Sequence, residues 1–451
     1  MVQDMTRGPI TRGLITFSIP LILSGLLQQM YSWADALIVG NFIGEGPLAA
    51  VGATHIISGL GIYIFSGFSV GVAVLTAQHF GRGEHGEITK IAATFTAVIG
   101  LASLVTAMLG ILFTEPLLAL LGTPEDIFGL AAVYLRIIFV GVPFLASYNV
   151  TGASLRGVGD SRTPLLAIAV STAANVVLDL IFVGLFRWGV KGAAWATVIS
   201  QIAMVIFVHA YIGRHRPEVA FRWHRRMVDR PSLKAGVKLG LPAALQQGVR
   251  LVGSMMLQTV QNGFGSVVVA AITSAYRIDT VAMLPVINMG AGMSTFAGQN
   301  YGAGDLTRAR KGLRAGSVAG MLVATVITAV LVPLGGRILG IFGISDRAVD
   351  IGWTFLRTCA IFYPLYGLLN AFTGYLQGLG DVVFVSTVHT AALLVRVGIS
   401  YGFREQWGHQ VIAWAEMISW VFTLVLVAGR YFFKHRRSLP PAQKSPDSGK
   451  L

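Results

Sequence analysis

Charge is what this sequence has least of. Only 12% of its 451 residues are Asp, Glu, Lys or Arg, while 54% are hydrophobic. An average soluble domain is about 25% charged, so one water-facing surface cannot hide this much hydrocarbon. No Lys or Arg occurs from Gly13 to Gly81, from Ile91 to Leu135 or from Thr163 to Phe186. A spanning helix needs about 20 mostly apolar residues, so each stretch holds one or two crossings of a bilayer. Cysteine is nearly absent too: Cys359 stands alone, which excludes a disulfide-stapled secreted scaffold. No His-Glu-x-x-His pattern, phosphate-binding Walker loop or Gly-x-Ser-x-Gly elbow appears, which leaves an enzyme nothing to work with.

Breaks at Gly, Pro and charged clusters divide the chain into twelve spans, the first centred near Leu27 and the last near Phe422. An even count puts both termini on one side. With that side taken as the cytoplasm, inner segments hold 24 of the 34 Lys and Arg and outer loops five, as the positive-inside rule requires. The expected location is the plasma membrane, with both termini cytoplasmic. The net charge of +14 then reflects orientation and anionic lipid headgroups, and no nucleic-acid partner is expected.

The sequence is written twice. At an offset of 221 residues Leu135-Arg136 returns as Leu356-Arg357, Pro143 as Pro364, Gln78 as Gln299, and Gly157-Val158-Gly159-Asp160 as Gly378-Leu379-Gly380-Asp381. The last string matches intramembrane aspartyl proteases, yet its duplication between the fourth and fifth span of each half points to a tight turn. Six spans per copy enter the membrane in the same direction. The expected fold is therefore an all-α integral membrane protein whose twelve transmembrane helices form two six-helix lobes. A pseudo-two-fold axis along the membrane normal relates them, with a substrate cavity at their interface. The expected divisions are residues 1–213 for the first lobe, 214–238 for a basic cytoplasmic linker, 239–434 for the second lobe and 435–451 for a disordered tail.

Polar residues inside hydrocarbon carry the functional signal, because an ionisable side chain at mid-membrane costs at least about 2.5 to 3.5 kcal/mol. The first lobe has two such acids, Asp35 in span 1 and Asp179 in span 5. Ser171, Asn175 and Asp179 repeat every fourth residue and so share one helix face; Thr197 in span 6 is followed one turn on by Gln201. Burial and a like charge both penalise ionisation, so two nearby carboxylates can share a proton near neutral pH. With amide and hydroxyl oxygens they can equally form a hard oxygen cage for an alkali cation. At the repeat offset Asp35 faces Met256, Asn175 faces Arg396 and Asp179 faces Ser400, while a two-residue shift sets Thr197 against Glu416. Ion coupling is expected in the first lobe alone, and Arg396 and Glu416 are expected to meet as a buried structural ion pair. The remaining second-lobe acid, Asp279, lies two residues after Arg277 and is expected to pair with it locally.

Several strings together resemble the multidrug and toxic compound extrusion (MATE) family. They are Ser18-Ile19-Pro20, Trp33-Ala34-Asp35 ahead of Ile38-Val39-Gly40, Gln78-His79-Phe80-Gly81, and its sister Gln299-Asn300-Tyr301-Gly302-Ala303-Gly304. The likeness extends to about Phe433. It implies a cation-coupled antiporter, driven by protons or sodium ions, that exports amphipathic and often cationic organic compounds by alternating access. No cofactor beyond the coupling ion is implied, and a monomer in the lipid bilayer is expected. The DinF-type members carry an acid on span 1, Asn and Asp four apart on span 5, and Thr on span 6. Those patterns fall on Asp35, Asn175, Asp179 and Thr197, which would also be the metal ligands if sodium is the ion, and a neighbouring span-4 tyrosine in similar proteins corresponds to Tyr134. Other members use a Glu on span 7, but Leu241 to Gln247 has no carboxylate. Gln29, Asn149 and Asn175 are the expected substrate contacts. Two alternatives remain: a lipid-intermediate flippase of the same superfamily, or a passive channel.

Overall fold

A computed structural model describes residues 3–215 and 228–435; the expected tail beyond 435 and the middle of the expected linker lie outside them. Among the described residues the chain is helical, with no strands. The first lobe consists of α1 (Ile10–Ile43), α2 (Glu45–Gly81), α3 (His85–Leu112), α4 (Glu125–Gly157), α5 (Arg162–Asp179, continued by a π-helix at Leu180–Leu185) and α6 (Val190–His215). The second consists of α7 (Arg230–Asn262), α8 (Ser266–Gly302), α9 (Leu306–Gly340), α10 (Asp346–Ile361 and Tyr363–Gly378), α11 (Val382–Gly402) and α12 (Val411–Arg430). These are the twelve crossings, in two six-helix lobes.

Ten of the helices are apolar and long enough to span a bilayer by composition. The other two are α7, which carries Arg230, Lys234, Lys238 and Arg250, and α10, which breaks at Phe362 into two 16-residue pieces. The break has a cause in the duplicated proline. Proline lacks an N–H and clashes with the preceding turn; α4 absorbs Pro143 inside a continuous helix, whereas in α10 Pro364 starts the second piece. Part of the expected linker is helical as well, since α7 begins at Arg230. Asp229 caps it by accepting from the Ser232 amide at 2.9 Å, and bonding to Ser232 holds the Asp229 carboxyl below the usual carboxylate range.

Each lobe lends its first helix to the other. Leu14, Phe17 and Leu21 of α1 are buried in one cluster with Phe296, Leu313 and Tyr375 of the second lobe. Leu233 and Leu239 of α7 pack reciprocally on the first-lobe cluster around Ile91, Phe95 and Phe139. Small residues permit the approach, as is usual between membrane helices. Gly67 and Gly71 of α2 lie against Ala244 and Gly240 of α7, and Gly292 of α8 against Ser18 of α1.

The face that carries the amino terminus is closed by contacts that obey the repeat. Gln78 donates to the Gly378 carbonyl at 2.9 Å, and Gln299 donates to the Gly157 carbonyl at the same distance. A Cβ on Gly81 would strike the Gln299 carbonyl, and one on Gly302 would strike that of Gln78. The repeated turns follow: Gly159 and Gly380 adopt φ of +89° and +90°, a conformation open to glycine. They are turns, and Asp160 accepts from the Thr163 amide and hydroxyl at 3.0 and 2.8 Å.

One element breaks the symmetry. The segment from Gln3 to Gly8 lies across the seam, with the Gln3 amide donating to Gly159 of the first lobe and the Met5 amide to Gln299 of the second. Met5 is 1% exposed. Asn300 and Arg308 donate to the Met5 carbonyl, and Arg308 also to those of Arg7 and Gly8 at 2.8 Å. Hydrogen bonds from a charged donor contribute about 1.5 to 3 kcal/mol each. Arg308→Ala should therefore raise amide exchange across the strap at least about tenfold while leaving α9 protected, as hydrogen exchange would read. An unchanged strap would mean that the bonds to Gly159, Gln299 and Asn300 and the burial of Met5 hold it without Arg308.

Candidate functional site

Four helices of the first lobe aim polar groups at one buried place. Asn175 and Asp179 end the regular part of α5 and are both 0% exposed. The backbone widens into π geometry immediately after Asp179, an irregularity common at functional sites. Tyr134 of α4 and Thr197 of α6 are buried beside them, and Asp35 of α1 is half-buried. Asp179 lies within electrostatic reach of Asp35, and Tyr31 and Tyr134 lie within reach of both.

The structure adds Tyr31, which the sequence reading did not single out. It lies one helical turn before Asp35, a spacing that puts both on one face, and its hydroxyl donates to Thr197 Oγ1 at 3.2 Å. The i, i+4 spacing from an intramembrane acid was the signal available.

Hydrogen bonding at this place is incomplete. Both carboxylate oxygens of Asp179, both amide atoms of Asn175 and Oδ1 of Asp35 are buried without a well-formed hydrogen bond among the described residues, although Asn175 lies beside the Asp179 carboxylate. Such groups are rare in native interiors and each needs an explanation. Two acids, an amide and a hydroxyl make an acceptor-rich group, chemistry that suits a proton or a small hard cation. Gln29 and Asn149 are half-buried on α1 and α4, and the structure gives neither a hydrogen bond to this group.

In the second lobe the corresponding positions hold a different network. Arg396 Nη2 lies 2.9 Å from Glu416 Oε2 and 2.8 Å from the Tyr276 hydroxyl, which lies 3.4 Å from the same Glu416 oxygen. The lobe therefore carries its own internal cation. Removing one partner of a buried pair typically costs about 3 to 5 kcal/mol. Glu416→Gln should lower the thermal midpoint in detergent by several degrees, and Arg396→Met/Glu416→Gln should recover most of the loss. Equal stability of single variant and parent would deny the pair a structural role.

Asp279 departs from expectation. No ion pair joins it to Arg277 among the described residues; it accepts instead from the Tyr363 hydroxyl at 2.6 Å, while Arg277 borders a surface pocket with Asn262, Thr273 and Phe342. Residues two apart on a helix point to different sides, which is why the local pair does not form.

Comparison with known proteins agrees with this architecture. The chain is 31% identical over 394 residues to the probable multidrug resistance protein YpnP of Bacillus subtilis, covering 87% of this chain and 88% of that one. It is 21% identical over 376 residues, 83% of each chain, to the multidrug export protein MepA of Staphylococcus aureus. Among solved structures, the outward-facing conformation of a multidrug resistance MATE family transporter of the MOP superfamily superposes with a TM-score of 0.87 at 22% identity, over 96% of this chain and 97% of that one. The MatE family model matches residues 20–181 and 242–401, one block in each lobe. With both repeats matched and a relative above 30% identity, the chain belongs to the MatE family.

Proposed function

We propose that the protein is a multidrug exporter that works as a cation-coupled antiporter in the plasma membrane, with both termini cytoplasmic. Its substrates are amphipathic, often cationic organic molecules, the class that the family resemblance implies, and the names of its relatives point to drugs. Asp35, Asn175, Asp179, Thr197, Tyr134 and Tyr31 form the coupling site, and Gln29, Asn149 and Asn175 contribute to the substrate cavity. Residues 1–213 and 239–434, the second block extended back to the start of α7 at Arg230 and the first on to the end of α6 at His215, are the moving lobes.

One observation carries the reading. Among the described residues, buried acceptors without partners collect around two acids in the first lobe, whereas the second lobe sets the Arg396–Glu416 ion pair at the positions of Asn175 and Thr197. A proton or sodium ion would neutralise the first site, changing its charge in step with lobe movement. An ion shifts a two-state equilibrium only by its differential affinity for the states, and this site supplies such a difference. A passive channel would need no acid pair confined to one lobe.

The test is efflux from proteoliposomes under separately imposed proton and sodium gradients. Substrate should move against its own gradient when one of the two ions flows the other way. Movement only down the substrate gradient, under either ion, would reject antiport.

A further inference from the structure

On the outer wall of the seam, α1 of the first lobe and α8 and α9 of the second enclose an apolar groove of about 550 Å³. Ile15, Ile19, Val318 and Leu322 line it and are 41 to 61% exposed, so the protein leaves this surface uncovered. Its ends differ. α1 and α9 both start on the face that carries the amino terminus, and there the groove opens between Thr11 and Arg314; at its deep end stand Ile22 and Val323.

Length fixes the depth. The eleven steps from Thr11 to Ile22 and the nine from Arg314 to Val323 rise about 16 and 13 Å at 1.5 Å per step, close to half of a hydrocarbon core of about 30 Å. The groove is one leaflet deep.

Arg314 supplies the charge. It makes no ion pair or hydrogen bond among the described residues and is exposed at the mouth, with Lys311 one turn nearer the membrane surface and Arg12 beside Thr11. The repeat provides a contrast: the corresponding seam joins α7 to α3, where position 314 becomes Ala93 and position 11 becomes Leu233. Leu233 is packed against the first-lobe core there. The basic neighbours recur there as Lys90 and Lys234, so what distinguishes this seam is the cation at position 314.

We propose that this groove binds an anionic phospholipid from the leaflet on the amino-terminal face. An acyl chain lies along Ile15, Ile19, Val318 and Leu322, and Arg314, with the Thr11 hydroxyl, receives the phosphate. The walls come from both lobes, so the lipid bridges the seam where the lobes are pressed together. The inference does not depend on which ion drives transport or on what is exported.

The experiment is lipid retention, counted by native mass spectrometry after reconstitution with equal parts phosphatidylglycerol and phosphatidylcholine. Near a membrane surface each basic residue favours anionic lipid by about fivefold. The parent should therefore retain one phosphatidylglycerol per chain with about that preference. Arg314→Gln should abolish the preference with unchanged thermal stability, since Arg314 has no internal partner to lose, and Arg314→Lys should keep it. Ala319→Trp, filling the groove, should remove both lipids. Equal retention of the two lipids by the parent, a preference surviving in Arg314→Gln, or retention unaffected by Ala319→Trp would each overturn the proposal. Displacement of the lipid by inorganic phosphate would also overturn it, by revealing a simple anion site.

Discussion

Asp35→Asn should abolish ion-driven efflux while leaving the protein folded, membrane-inserted and able to bind substrate. Asparagine keeps the size and hydrogen-bonding capacity of the protonated acid and removes the ability to exchange its charge. Permanent neutrality removes the ion's differential affinity for the two lobe arrangements, and each pKa unit of that difference is worth about tenfold in their ratio. Asp179→Asn should act in the same direction, because its carboxylate feels that of Asp35 within the same buried group. The two losses should be far from additive, as expected of residues that titrate as a unit. The pH dependence gives an independent reading. In the parent, acid should weaken binding of a cationic substrate as the pair takes up protons, and alkali should restore it; in Asp35→Asn much of that dependence should disappear. The measurements are efflux in proteoliposomes, substrate binding against pH and size-exclusion behaviour of each variant. Wild-type efflux by Asp35→Asn would remove the coupling site from the proposal altogether.

Much of the architecture was legible because it is written twice. A 221-residue offset is a long-range statement, and it put Gln78 and Gln299, Gly157 and Gly378, and the two Gly-x-Gly-Asp turns into equivalent places before any contact was known. The structure turns those equivalences into reciprocal bonds across the seam. The polar stripe of α5 was visible for a simpler reason: period-four spacing of Asn175 and Asp179 survives in any helix that stays regular to Asp179. What lacked a period was not legible. The strap from Gln3 to Gly8 meets Gln299, Asn300 and Arg308 through backbone groups, and backbone groups leave no residue pattern. Tyr363, which bonds Asp279, comes from the broken α10; a contact between α8 and α10 has no sequence spacing to announce it. The expectation of an Arg277–Asp279 pair gave adjacency in sequence more weight than helical geometry allows.

Gly302→Val should hold the amino-terminal face of the two lobes apart. The closed seam puts the α-carbon of Gly302 against the Gln78 carbonyl, and Gly81 meets the Gln299 carbonyl in the same way. A side chain there meets backbone, which cannot rotate aside as the end of a flexible side chain would. The lobes must separate or the helices must shift, and packed interfaces switch between discrete arrangements more readily than they deform. Separation also breaks the reciprocal bonds of Gln78 and Gln299 and the strap bonds of Met5. Those contacts, worth about 0.5 to 1.5 kcal/mol each, favour the closed arrangement, and the backbone clash at Gly302 must outweigh them for the lobes to part. Spin labels at the half-buried Glu87 on α3 and the exposed Lys311 on α9, on opposite lobes, report the change when the native Cys359 is replaced by Ser. The parent should give one short distance, and Gly302→Val a longer one together with loss of efflux. Gly86→Ala serves as the control, because a Cβ there meets nothing within 4 Å. The same short distance in Gly302→Val and in the control, with efflux intact, would show that this seam does not close as described.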